Sequence, residues 1–335
     1  MSVDLSSTYL GMRLSSPIVA AACPLTGNID VLKRFEAAGA GAAVLPSLFE
    51  EQIEFEECMF GGLMDYGANS FGEATTYFPE VDSYNTGPDE YLETIEKARD
   101  AVSIPVIGSL NGLSPGGWTR YAKLMEDAGA SALELNMYQL VTDANITALQ
   151  IEDQYIELVS SIRSTIQIPL AVKIGPYFSS LPNFARRLFE AGADGLVLFN
   201  RFFQPDVNIE RMEIHPQMEL SRRTEMRLPM RWIAILDPQV KGSLAANSGI
   251  QTANDIFKML LVGADVTMMA AAFVRHGPEH VAKLLADLQV LLAEHGYTSV
   301  DQFRGSFNHR NTPDPSAFER LNYMKALTTY VVDLP

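Results

Sequence analysis

The chain has 335 residues, of which 47% are hydrophobic and 20% charged, and it carries a formal net charge of −16. That length suits one barrel of about 250 residues plus insertions, and the composition supports a large buried core and excludes general disorder. The excess of 41 acidic over 25 basic residues repels phosphate backbones and anionic bilayers, so neither nucleic acid nor membrane is an expected partner.

The two cysteines, Cys23 and Cys58, make no disulfide framework and fit a reducing compartment. The opening MSVDLSSTYLGMRL has no basic start followed by a long apolar run, so it does not read as a signal peptide. No stretch approaches the roughly 20 apolar residues of a membrane helix. A soluble, cytoplasmic protein is expected.

In chain order, strands are expected at Pro17–Ala21, Ala42–Leu45, Pro105–Ser109, Ala132–Asn136, Leu170–Lys173, Gly195–Asn200, Ser243–Ala246 and Val266–Ala270. Most are nearly continuous apolar runs, the pattern of strands covered on both faces. Helices are expected at Asp30–Ala38, Asp89–Ala101, Gly116–Ala128, Glu152–Thr165, Pro182–Ala191, Ala253–Leu261 and Glu279–Glu294. The small-residue stops Ala38-Gly39-Ala40, Ala128-Gly129-Ala130, Ala191-Gly192-Ala193 and Val262-Gly263-Ala264 each end a helical segment just before an apolar run. This βα repeat with eight strands implies an α/β fold, a single-domain (βα)8 TIM barrel spanning 1–335. Leu228–Leu236 reads as a strand by propensity, but a barrel needs a helix there, and a helix is expected. The long connections at 49–88 and 201–228 should cover the active site, and the tail after Tyr297 should pack outside the barrel as a helical extension.

Barrel chemistry sits at the C-terminal strand ends. Those ends carry Ser47, Ser109, Asn111, Asn136, Lys173, Asn200 and Asn247. The set has no carboxylate pair for glycosidase work and no clustered His and Cys for zinc; no metal is expected. Asn and Lys groups suit a planar heteroaromatic ligand whose ring edges need hydrogen bonds. Asn247-Ser248-Gly249-Ile250 after the seventh strand and Ala270-Ala271-Ala272 after the eighth are small-residue turns where a phosphate can meet backbone N–H groups. On the residues alone Lys173 is a ligand contact, a surface lysine or a Schiff-base lysine; Asn136 and Asn200 are ligand contacts or strand-end caps.

The segment PLAVKIGPYF at Pro169–Phe178 resembles the fifth-strand lysine motif of the dihydroorotate dehydrogenases, nearest their soluble, homodimeric subclass. Leu133–Asn136, Ser16–Ala22, Asn247–Ile250 with Gly263-Ala264 and Gly277-Pro278, and Gly296–Phe303 resemble further motifs of that family, in the same order along nearly the whole chain. The resemblance implies FMN. Ala21, Ala22 and Ser47 line its ring; Asn111, Asn136 and Asn200 bond ring edge or ribityl; Lys173 sits near the pyrimidine end, where a cation favours the reduced anion. Asn247, Ser248, Gly249, Ile250, Ala270 and Ala271 form the phosphate end. It also implies a homodimer, a small-molecule substrate and a place in pyrimidine biosynthesis.

The departures are specific. Where the family has a catalytic Cys or Ser after the fourth strand, the chain reads Asn136-Met137-Tyr138-Gln139, so Gln139 stands in place of the base and neighbouring Tyr138, with an ordinary pKa of about 10, is a poor substitute. Pro46 replaces the lysine before Ser47, Arg201 follows Asn200 where serine is usual, and Asn85–Asp89 only partly resembles the substrate loop. The resemblance thus assigns catalysis to Lys173, Tyr138 and Gln139, and substrate contacts to Asn85, Asn136 and Arg201, with Arg201 either a solvated loop residue or an anion clamp. The expected function is an FMN-dependent oxidoreductase with altered or lost dihydroorotate activity; the alternatives are a silent flavoprotein and a Lys173 Schiff-base aldolase.

Overall fold

The computed structural model describes residues 3–53, 87–113, 116, 119–216 and 219–329. Asn85, Cys58 and most of the 49–88 connection lie outside the described residues.

Eight parallel strands close into a barrel: β1 (Ile18–Ala20), β2 (Ala42–Val44), β3 (Val106–Asn111), β4 (Ala132–Asn136), β5 (Leu170–Ile174), β6 (Gly195–Leu198), β7 (Ser243–Asn247) and β8 (Val266–Met269). Each strand pairs in parallel with the next, β8 pairs with β1, and a two-residue strand, Leu48–Phe49, runs beside β3. Helices follow the strands outside: α1 (Ile29–Ala37), α2 (Pro88–Ala101), α3 (Arg120–Asp127), α4 (Ala148–Thr165), α5 (Leu181–Glu190), α6 (Arg227–Leu236), α7 (Ala253–Leu261) and α8 (His280–Glu294). The expected (βα)8 barrel is the observed fold, and all eight expected strands fall on barrel strands.

Strand alternation divides the core in two. Val19, Val44, Ile107, Val197, Val266 and Met268 fill the barrel interior with the small side chains of Ala42, Ala132, Ala171 and Ala245. The opposite faces pack against the helices in a second, larger cluster. The Ala-Gly-Ala stops do what their spacing implies: Gly39, Gly129, Gly192 and Gly263 have φ of +94, +99, +108 and +115°, ending α1, α3, α5 and α7 in a conformation L side chains avoid.

The sixth crossover is helical. In α6 the buried Pro229, Ile233, Ala234 and Leu236 lie on one face, so packing overrides the strand propensity of the sequence RWIAIL. Two hairpins are not legible in the sequence. Ser7–Tyr9 pairs antiparallel with Met12–Leu14, and the Tyr9, Leu10 and Leu14 side chains plug the N-terminal end of the barrel; the Leu10 N–H donates to Ser243 Oγ at 2.9 Å at the start of β7. Pro205–Asn208 pairs with Glu213–Pro216 inside the 201–228 connection, exposing Val207, Ile209, Met212 and Ile214. The segment after Tyr297 runs back along the N-terminal end: Arg304 bridges Asp237 at 2.9 Å and Asp265 at 2.7 Å, and Asn308 donates to Asp237 at 2.6 Å. The helix Leu321–Thr329 follows with no buried residue.

Candidate active site

At the C-terminal mouth of the barrel lies a cavity of about 320 Å³. Its wall brings together Ala22, Ser47, Asn136, Lys173, Asn200, Arg201, Asn247, Ser248, Gly249, Ile250, Ala270 and Ala271. These residues are distant in sequence and meet because parallel strands deliver all their ends to one face. Such a volume lies within the range of small-molecule sites, roughly 300–1,000 Å³.

Strand register sets the polar side of the wall. Asn136 on β4 pairs with Lys173 on β5, and the Asn200 amide donates to Asn136 Oδ1 at 2.8 Å. Lys173 Nζ contacts Glu134 Oε1 at 3.2 Å; its side chain is 8% exposed and that of Glu134 1%. Two residues deeper on β4 than Asn136, Glu134 faces the barrel interior, and its Oε2 has no hydrogen-bond partner. Ser47 shares a 2.7 Å hydrogen bond with Ser109, whose N–H donates to the buried Tyr91 hydroxyl. Burial pushes the Cys23 thiol on this wall up, outweighing hydrogen bonds from the Leu25 and Thr26 N–H groups and the Lys173 charge, so it stays protonated.

The opposite side is made of small residues and backbone. Gly249, at φ +75°, lies so close to the 222–226 segment that a Cβ there would fall 2.5 Å from the Met226 nitrogen. Its N–H donates to Ser221 Oγ over a long 3.3 Å. Arg275 holds the backbone carbonyls of Leu220 and Ser221, and Gln251 also donates to the Ser221 carbonyl. Ala270 and Ala271 open the short helix Ala271–His276, whose first N–H groups have no intrahelical acceptor.

Other expected site residues are not among those lining the cavity. Ala21 and Asn111 are buried but off the wall. Tyr138 and Gln139 are not among the lining residues either: Tyr138 stacks on Phe202 with ring centroids 4.4 Å apart, and Gln139 Oε1 is buried without a partner. Arg201 reaches the wall with its guanidinium engaged, by Glu225 at 2.8 Å and by the Glu219 carbonyl. Sequence reasoning passes over Glu134 and Ser221. The signal for Glu134 is present, since a residue two before Asn136 shares its face of the strand; nothing in the sequence places Ser221 beside Gly249. Among the described residues no group of three His, Cys, Asp or Glu side chains could hold a metal ion, and no helix is long and apolar enough to cross a membrane.

Comparison with known proteins places this mouth in context. The chain is 27% identical over 312 residues, 92% of itself and 98% of its counterpart, to a protein of Aeropyrum pernix provisionally named dihydroorotate dehydrogenase A (fumarate). It is 22% identical over 315 residues, 90% and 97% of the two chains, to the catalytic subunit of dihydroorotate dehydrogenase B (NAD(+)) of Methanothermobacter thermautotrophicus. It is 21% identical over 328 residues, 90% and 76% of the two chains, to a chloroplastic dihydropyrimidine dehydrogenase (NADP(+)) of Arabidopsis thaliana. The sequence profile of the family described as dihydroorotate dehydrogenase matches residues 81–292, most of the barrel, and the chain therefore belongs to the dihydroorotate dehydrogenase family of oxidoreductases.

Proposed function

We propose that the chain is an FMN-dependent oxidoreductase whose flavin end is retained and whose substrate end is altered. The observation that carries this reading is a cavity that opposes the amides and ammonium of Asn136, Asn200 and Lys173 to the small, backbone-rich turns at Ser248–Ile250 and Ala270–Ala271. The first group suits the edge of a flavin ring. The second suits a terminal phosphate, for which the long Gly249–Ser221 contact is easily exchanged. In this assignment Ala22 and Ser47 abut the ring, and Asn247 holds its turn by donating to the Phe199 carbonyl at 2.9 Å. Asn111, the register partner of Asn136, and Ala21, next to Ala22, are proposed flavin contacts at the margin of this wall. Bound FMN supplies hydride acceptance; the chain's residues bind, orient and shield.

Dihydroorotate oxidation also removes a proton from the carbon beside the one that loses hydride, and that proton needs a positioned base. Gln139 accepts no proton near neutral pH, Tyr138 is committed to its stack on Phe202, and the Cys23 thiol is pushed up by burial. The charge of Arg201 is already met by Glu225, which weakens its reading as a clamp for a substrate carboxylate. We therefore assign the chain a small-molecule substrate other than dihydroorotate, with Arg201 at its entrance. A Schiff-base aldolase is disfavoured because Lys173 Nζ is already engaged by Glu134 Oε1 at 3.2 Å, inside the barrel interior. Homodimer formation is part of the proposal, supported by the exposed apolar hairpin at 205–216.

The test is anaerobic titration of the purified protein with candidate small-molecule reductants. Bleaching of a flavin spectrum within one turnover by a metabolite other than dihydroorotate is expected. A colourless protein, or flavin reduced rapidly by dihydroorotate, contradicts the reading.

A further inference from the structure

The buried ion pair of the barrel interior, Lys173–Glu134, is not explained by packing. The contact is 3.2 Å, the two side chains are 8% and 1% exposed, and one carboxylate oxygen has no partner. Two charges held this far from water cost several kcal/mol each to desolvate, and apolar residues of equal volume usually serve a core as well or better. Glu134 sits one interior layer below the cavity, with Ser109 and Ala171 as its β3 and β5 register partners and the buried Tyr9 and Tyr91 hydroxyls near enough to feel its charge, yet Lys173 is the cation it engages. The pair is also placed asymmetrically. Lys173 is on the cavity wall, whereas Glu134 is not and reaches the cavity only through the lysine. An ammonium has three donors; one is spent on Glu134, leaving the others for a ligand.

Resting on the flavin assignment, we propose that Glu134 is a positioning residue: it fixes the Lys173 ammonium on the cavity wall and balances its charge, so that the electron affinity of the bound flavin is set by the pair rather than by the lysine alone. A lone cation at this place favours any negative charge on the flavin ring. A carboxylate one layer beneath it subtracts from that effect and stops the long lysine side chain from leaving for solvent. Glu134 therefore acts as a brake on how oxidising the site is, a role distinct from holding the barrel together.

Sulfite, which adds to oxidised flavin and leaves negative charge on the ring, reads this balance through loss of flavin colour without any turnover. The experiment compares the sulfite dissociation constants of FMN-loaded wild type, Glu134→Gln, Lys173→Met and the double variant. Glutamine keeps the volume and an acceptor oxygen but drops the charge, so Glu134→Gln should bind sulfite about tenfold more tightly, the size expected for one unit charge a few ångströms away. Lys173→Met should bind it about tenfold more weakly on the same grounds. The double variant should fall between the two, and the non-additivity of the cycle measures the coupling. Melting of the four apo-proteins gives a second readout: each single change should destabilise more than the double. If Glu134→Gln does not fold, Glu134→Asp, which keeps the charge but withdraws it from the ammonium, should shift sulfite affinity the same way by a smaller factor. Yellow variants with unchanged sulfite affinity would overturn the proposal and leave the flavin assignment standing. A wild-type chain that takes up no FMN would overturn both.

Discussion

Gln139 is the residue on which the reading of the reaction turns. Its carbonyl oxygen is buried without a partner, and in the proposal the residue stands in place of a base. Positioned bases contribute about 10²–10⁴-fold to rates. Wild-type dihydroorotate oxidation should therefore stay near background, measured in steady state with a dye acceptor, and Gln139→Cys alone should not restore it, because residue 139 does not line the cavity. Wild-type turnover in the common enzyme range of about 1–10³ per second would show that the fourth loop has another base. At this scale the sequence is partly legible. Asn136, Lys173, Asn200 and Asn247 can be placed because each closes an apolar strand, and strand ends share one face of a barrel. Glu134 escapes notice because it stands inside a nearly continuous apolar run, where alternation is hard to follow inward. Tyr138 and Gln139 are placed by motif position alone, which says nothing of the Tyr138–Phe202 stack that occupies Tyr138.

Among the elements, the eight strands and the helices between them are readable because most strands are nearly continuous apolar runs and four helices end at a positive-φ glycine. The hairpin Pro205–Asn208 and Glu213–Pro216 is hidden: its sequence is mixed, and its first strand has no buried face to impose alternation. That exposure is itself informative. Ile209 is 80% and Met212 82% exposed at its tip, a costly arrangement unless another surface covers them. Light scattering at micromolar concentration should find a dimer for the wild type and a monomer for Ile209→Glu/Met212→Glu, with the fold of both intact by circular dichroism. A wild-type monomer contradicts the homodimer, and a dimer unaffected by the double change moves the interface elsewhere.

Across the whole molecule, the chain closes on itself at the N-terminal end of the barrel, where Arg304 from the tail ties Asp237 and Asp265 together. Burial raises the Asp265 carboxyl to about 6, against the lowering by Arg304 and by the Leu244 N–H and with a further raise from Asp237. The folded state thus holds this proton more tightly than the unfolded chain. Its favourable contribution is complete below the ordinary carboxylate range, near 3.8, and is lost as the pH rises to about 6. Each tenfold gain in proton affinity is worth roughly 1.4 kcal/mol, so the change is on the order of 2–4 kcal/mol. Relative to Asp265→Asn, the wild type should therefore lose stability between about pH 4 and about 6.5 and stay level above that, as read from denaturant unfolding at a series of pH values. A difference that does not vary with pH would remove the charge from Asp265.

The other assignments at the mouth of the barrel rest on the proposed flavin. The turns after β7 and β8 that line the cavity are made of small residues, which suits a phosphate, and the chain has no G-x-G-x-x-G element for a dinucleotide. The most direct measurement is mass spectrometry of the cofactor released from protein purified in the presence of flavins. The account predicts FMN at close to one per chain; FAD, or no flavin even after reconstitution, would contradict it.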